Sequence, residues 1–88
     1  MTATAHDPAR AARHAAQAMY LVDFATCPRS VAWKSGARAG VLKAHGVLPP
    51  ASPWANATAE DDAWRAGFQT GLREARHALA RAAQGCAA

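Results

Sequence analysis

From Pro8 to Phe24 the apolar positions recur at helical spacing. Ala12, Ala15, Ala16, Met19 and Val22 share one face, while Arg10, Arg13, His14 and Gln17 spread around the remainder. Asp7 before Pro8 reads as an N-cap followed by the residue best tolerated at the first helical position. Pro28 closes the segment, because the residue before a proline resists the α conformation. The period returns from Ser30, an N-cap, to His45, with Trp33, Ala37, Gly40, Val41 and Ala44 on one stripe and Gly46 as the stop. It returns again after Thr58, whose Asp61 three residues on resembles a capping box. There Trp64, Phe68, Gly71, Leu72, Ala75, Leu79 and Ala82 align, Gly67 and Ala78 lie along the edge, and Gly85 is the expected end. Between these runs Pro49, Pro50 and Pro53 impose an extended linker. The pattern predicts an all-α fold: a small bundle of about three helices over residues 8–24, 30–45 and 59–84. Residues 1–7 are expected to be a disordered N-terminus, and 8–88 a single helical domain.

The second and third runs repeat each other. Ala32-Trp33-Lys34-Ser35-Gly36-Ala37-Arg38-Ala39-Gly40 matches Ala63-Trp64-Arg65-Ala66-Gly67-Phe68-Gln69-Thr70-Gly71 at Ala, Trp, the basic residue and both glycines, 31 positions apart. Duplication of one helical element is the simplest account. Glycine inside a helix costs about 1 kcal/mol relative to alanine, so two per helix, in both copies, require a reason. Close approach of backbones supplies one. Trp33, Gly36, Gly40, Trp64, Gly67, Phe68 and Gly71 are therefore assigned to a helix-packing seam.

Composition limits what this core can do. Of the 51% of residues that are hydrophobic, 26 are alanines, and there is no isoleucine. An Ala- and Arg-rich chain favours helix over strand, and a core this thin supplies only about 3–5 kcal/mol, so a partner or a large assembly is expected to complete its stabilisation. The net charge of +4 favours polyanions. Cys27 and Cys86 stand far apart, in neither a disulfide framework nor a zinc-ligand spacing, which fits a reducing compartment. No apolar run approaches the roughly 18 residues of a membrane span, and the N-terminus lacks the apolar core of a secretory signal. No membrane association and a cytoplasmic location are the expectation.

The helical wheel gathers Arg65, Gln69, Arg73 and Arg76 beside the third stripe, and Lys34, Arg38 and His45 in the equivalent place on the second. Such strips are ordinarily solvated flanks of amphipathic helices; their functional alternative is phosphate contact. Glu60, Asp61 and Asp62 oppose that use, although acids in a first turn also suit the helix dipole. Trp54 lies in the linker outside any stripe, where it either plugs the helix pair or offers a stacking surface. Lys34, Arg38, His45, Trp54, Arg65, Gln69, Arg73 and Arg76 are the candidate RNA- or partner-binding residues. His6, His14, His45 and His77, with Asp7, Asp23 and Glu74, show no nucleophile, base or ligand spacing, and there is no glycine-rich phosphate loop. No catalytic residue, metal or cofactor is assigned, and an enzyme is not expected.

Ala32, Gly36, Ala39 and Gly40, then Ser52-Pro53-Trp54, then Trp64, Gly67 and Phe68 follow an order that resembles the ribosome modulation factor family of small bacterial proteins. That family carries an Ala-x-x-x-Gly-x-x-Ala-Gly helix, a Cys-Pro-aromatic linker and a Trp-x-x-Gly-aromatic helix. The resemblance runs from about Ala32 to Arg76. Ser52 stands where the family has cysteine, Cys27-Pro28 precedes the first Trp-x-x-Gly, the spacing between linker and tryptophan is about one residue longer and the first helix is an addition. The resemblance implies binding to the ribosome and its RNA, with translation silenced during dormancy. The departures leave open a relative turned to another partner: a phage- or mobile-element-encoded helical inhibitor of a host protein complex, with a homodimer through the glycine seams allowed.

Overall fold

The computed structural model describes residues 7–86, in which three helices follow one another: α1 (Pro8–Asp23), α2 (Val31–Ala44) and α3 (Ala59–Cys86). There are no strands among the described residues, so the fold is all-α. Of the stretch expected to be disordered, residues 1–6 lie outside the described residues, as do 87–88 at the other end.

Each boundary has a local cause. The Asp7 carboxylate accepts from the amides of Ala9 (3.1 Å) and Arg10 (3.3 Å), satisfying donors that no helical carbonyl can reach. Phe24 is the C-cap rather than the last helical residue. Ser30 caps α2 by accepting from the Trp33 amide at 3.1 Å. At the other end Gly46, at φ +80°, donates to Lys43 O (2.9 Å) while Val47 donates to Leu42 O (3.0 Å). That pair of bonds is a Schellman motif, which needs the left-handed conformation glycine adopts without a Cβ penalty. Thr58 accepts from the Asp61 amide at 3.1 Å and opens α3. Gly85 does not stop α3, which continues to Cys86. A glycine ends a helix by turning left-handed, and Gly46 is the glycine that does so here.

The packing is directional. Lys34 Nζ donates to Ala25 O (3.3 Å) and Arg38 Nε to Gln17 Oε1 (3.0 Å), so numbering rises along α2 as it falls along α1: the two are antiparallel. On the other side of α2, Gly36 faces the Trp64 carbonyl and Gly40 the Phe68 carbonyl, so α2 and α3 run parallel. Parallel neighbours need a return path along α2, whose 14 residues span roughly 21 Å. The proline-rich linker provides it.

The repeat is visible as symmetry. Gly36 faces Trp64 and Gly67 faces Trp33; Gly40 faces Phe68 and Gly71 faces Ala37. A shift of 31 positions converts each contact into its counterpart, which places a pseudo-two-fold axis along the helix pair. Around this seam Val41, Ala37, Ala39 and Ala75 are buried completely, with Trp33, Leu42, Trp64 and Leu72 nearly so. The α3 stripe stays buried only as far as Ala75, the repeat mate of Ala44 at the end of α2; Leu79 and Ala82 lie beyond it and are exposed. The inward face of α1 also differs from the expected one. Ala16 and the C-cap Phe24 are buried and Ala12, Met19 and Tyr20 half-buried, whereas Ala15 and Val22 are exposed. Phe24 decides this orientation: it packs on Trp33 with ring centroids 6.1 Å apart, and Tyr20 stacks behind it at 6.5 Å.

Candidate polyanion-binding face

The α2 strip has internal duties. Lys34 holds the carbonyl of Ala25 and Arg38 holds Gln17, so both fasten α1 to α2. His45 Nδ1 lies 2.9 Å from Val41 O and, since a carbonyl only accepts, carries the proton that closes its own helix end. The neighbouring Arg29 guanidinium covers the Trp33 ring at 4.9 Å, a cation–π contact over the aromatic that receives α1.

Arg65 is also engaged. Its Nε donates to Asp61 Oδ2 at 2.8 Å and its terminal nitrogen reaches Asn56 Oδ1 at 3.5 Å. Asp61 is 2% exposed, the most deeply buried charged group described. The Arg65 guanidinium, then the Ser52 hydroxyl, hold its carboxyl below the usual range, against burial, which raises it. Among the described residues Oδ1 has no hydrogen-bond partner. Asp61 thus anchors the linker to the first turn of α3. A carboxyl with a lowered folded pKa contributes stability that is complete well above its free value of 3.8 and lost as pH falls through 3.8 toward the folded value. Urea titrations at neutral pH and near pH 3 are expected to show Asp61→Asn less stable than the parent at neutral pH and the gap closing in acid. An equal gap at both values would exclude the carboxylate as its source.

What remains of the basic set gathers on α3. Gln69, Arg73 and Arg76 line a surface depression of about 200 Å³ together with Leu72 and His77. Among the described residues Arg73 has one ionic neighbour, Glu74 at 3.8 Å, and both side chains are about 60% exposed (61% and 60%), so the pair is loose and solvated. His77 was legible from its i, i+4 spacing to Arg73, yet sequence reasoning weighed it only as a catalytic group. The repeat makes the location informative: position 73 corresponds to position 42, and Leu42, buried in one core cluster with Ala16 and Phe24, becomes exposed Arg73 on α3. Trp33 receives an aromatic from α1, whereas Trp64 receives one from its own helix, Phe68, stacked at 5.4 Å. The third helix is built to leave open the side that the second helix has covered.

The two strips do not merge. A pseudo-two-fold along the helices carries equivalent side chains to opposite sides of the pair, so Lys34 and Arg38 face away from Arg65 and Gln69. Trp54 stands apart from both. It is half-buried and lines an apolar groove of about 400 Å³ with Val31, Ala32, Ala59 and Ala63, rimmed by Ser30 and Glu60. Val31 is 76% exposed there. Among the described residues no cluster of three or more His, Cys, Asp or Glu is placed to hold a metal ion, and no helix is long and apolar enough to cross a membrane.

The chain matches no family model, no curated protein and no solved structure. The likeness to ribosome modulation factors therefore rests on the quoted residues. Gly36, Gly40, Trp64, Gly67 and Phe68 are among the residues that meet backbone to backbone in the α2–α3 pair, so in this chain these positions build a scaffold.

Proposed function

We propose that this chain is a small, non-enzymatic RNA-binding protein that acts on ribosomes in the manner of a modulation factor, lowering translation by occupying the particle. The observation that carries this reading is the α3 depression: Gln69, Arg73, Arg76 and His77 place donors around one concavity where the repeat on α2 has the buried Leu42. Arginine side chains set around a shallow floor suit phosphate oxygens, whose contacts dominate affinity for RNA. The motif likeness adds the partner class, and the cytoplasm is where that partner is found.

Co-sedimentation with ribosomes at increasing salt tests the reading. Each phosphate met contributes a slope of roughly −0.7 to −0.9 in log K against log [salt]. Arg73→Gln/Arg76→Gln is expected to flatten the slope by about 1.5 in all while helix content stays unchanged. Binding that ignores salt and this double substitution would remove RNA as the ligand.

A second reading, an inhibitor of a host protein complex, is favoured by one observation. The Trp54 groove is apolar and open, with Val31 exposed beside it, as in a pocket that receives a partner's apolar side chain. Under that reading Trp54→Ala abolishes association and the arginine pair is silent.

A further inference from the structure

Resting on the RNA reading above, we infer that the α3 face takes the phosphate backbone of paired RNA and does not read unpaired bases. Single strands are held by aromatic rings on which successive bases stack, with cations tracking the backbone between them. No Phe, Tyr or Trp lines the α3 depression; its one ring is the His77 imidazole, and a single ring offers no run of platforms for successive bases. Five of the six Tyr, Phe and Trp rings are committed elsewhere: Tyr20, Phe24 and Trp33 to the α1–α2 junction, Trp64 and Phe68 to each other. Trp54 lines the groove beside Ala63, ten positions before Arg73 and hence roughly 15 Å back along the helix axis.

What the face does present is a rigid row. Gln69, Arg73, Arg76 and His77 lie along one side of a continuous 28-residue helix, and exposed Arg81 follows one turn beyond His77. Glu74 is the last acid in the chain, so the row becomes purely cationic toward the C-terminus. A fixed row of donors matches charges that are themselves held in a fixed row. Paired RNA offers this, since it is recognised through its shape and its phosphates and 2′-hydroxyls, whereas a flexible strand must first be ordered.

The test is fluorescence anisotropy of the full chain with a short labelled RNA duplex and with each of its separated strands. The duplex is expected to bind about tenfold more tightly than either strand, and Arg73→Gln/Arg76→Gln to remove most of that binding, as the loss of phosphate contacts requires. Trp54→Ala is expected to leave duplex affinity within about twofold, because stacking on that ring plays no part. A strand that binds as well as the duplex, or a duplex affinity that collapses with Trp54, overturns the inference while the RNA reading stands. If neither RNA binds, both fall together.

Discussion

Gly36→Ala and Gly67→Ala are each expected to lower the melting temperature by about 10 °C or more, and by similar amounts. The reason lies in what the new methyl would meet. At Gly36 a Cβ would lie 2.7 Å from the Trp64 carbonyl carbon, and at Gly67 it would lie 2.9 Å from that of Trp33, with the carbonyl oxygens closer still. These are backbone atoms of a facing helix, so no rotamer change relieves the clash and the helices must separate. Overpacking of this kind costs about 1–3 kcal/mol and more where nothing yields, in a domain whose core supplies only about 3–5 kcal/mol. Leucine at either position should prevent folding. Gly85→Ala is the control. Nothing lies within 4 Å of a Cβ there, and the residue sits inside α3, so alanine should stabilise by up to about 1 kcal/mol. A loss at position 36 without an equal one at 67 would show that the seam is not reciprocal.

Those glycines also mark where sequence reasoning reached and where it stopped. A pair at i, i+4 in two copies says that backbones meet, because only a missing Cβ justifies the propensity cost. It does not say in which direction they run: the same spacing serves parallel and antiparallel crossings, and the parallel arrangement became visible only when Gly36 and Gly40 were seen to face Trp64 and Phe68 in that order. Helix starts were readable from Asp7-Pro8, Ser30 and Thr58, since a cap is made within three residues of itself. Gly85 was misread because a stop is a backbone conformation, which composition alone does not distinguish from a tolerated glycine. The face of α1 was misjudged at Val22 for a related cause. With alanine on every side of that helix periodicity has little contrast, and the orientation is settled by Phe24 reaching a ring on another helix. Arg38 illustrates the limit for the site. It looked like a free cation, and its partner, Gln17, is 21 positions away, beyond anything a helical wheel relates.

Phe24→Ala is expected to detach α1 and leave the α2–α3 pair folded. Removing a buried phenylalanine costs about 3–5 kcal/mol in a core that must hold together. Here the cost has a ceiling. Ala16 is the one residue inside α1 that is fully buried, so Phe24 on Trp33 is the large buried anchor of α1, helped by half-buried Met19 and Tyr20 and by Lys34 and Arg38. Once the loss exceeds the docking free energy, α1 opens as a local unit and the remaining structure feels no more. Hydrogen exchange should then show amides of residues 11–23 exchanging freely, while those facing the glycine seam keep their protection. Uniform loss across all three helices would mean that α1 belongs to one cooperative unit with the pair. The same variant separates scaffold from function. The Arg73–Arg76 face lies on the opposite side of the pair from α1, so under the proposed RNA reading any ribosome binding by the parent is expected to persist within about twofold in the opened protein, as additivity of distant sites requires. If binding is lost with α1, the contact surface must include Lys34, Arg38 or α1 itself.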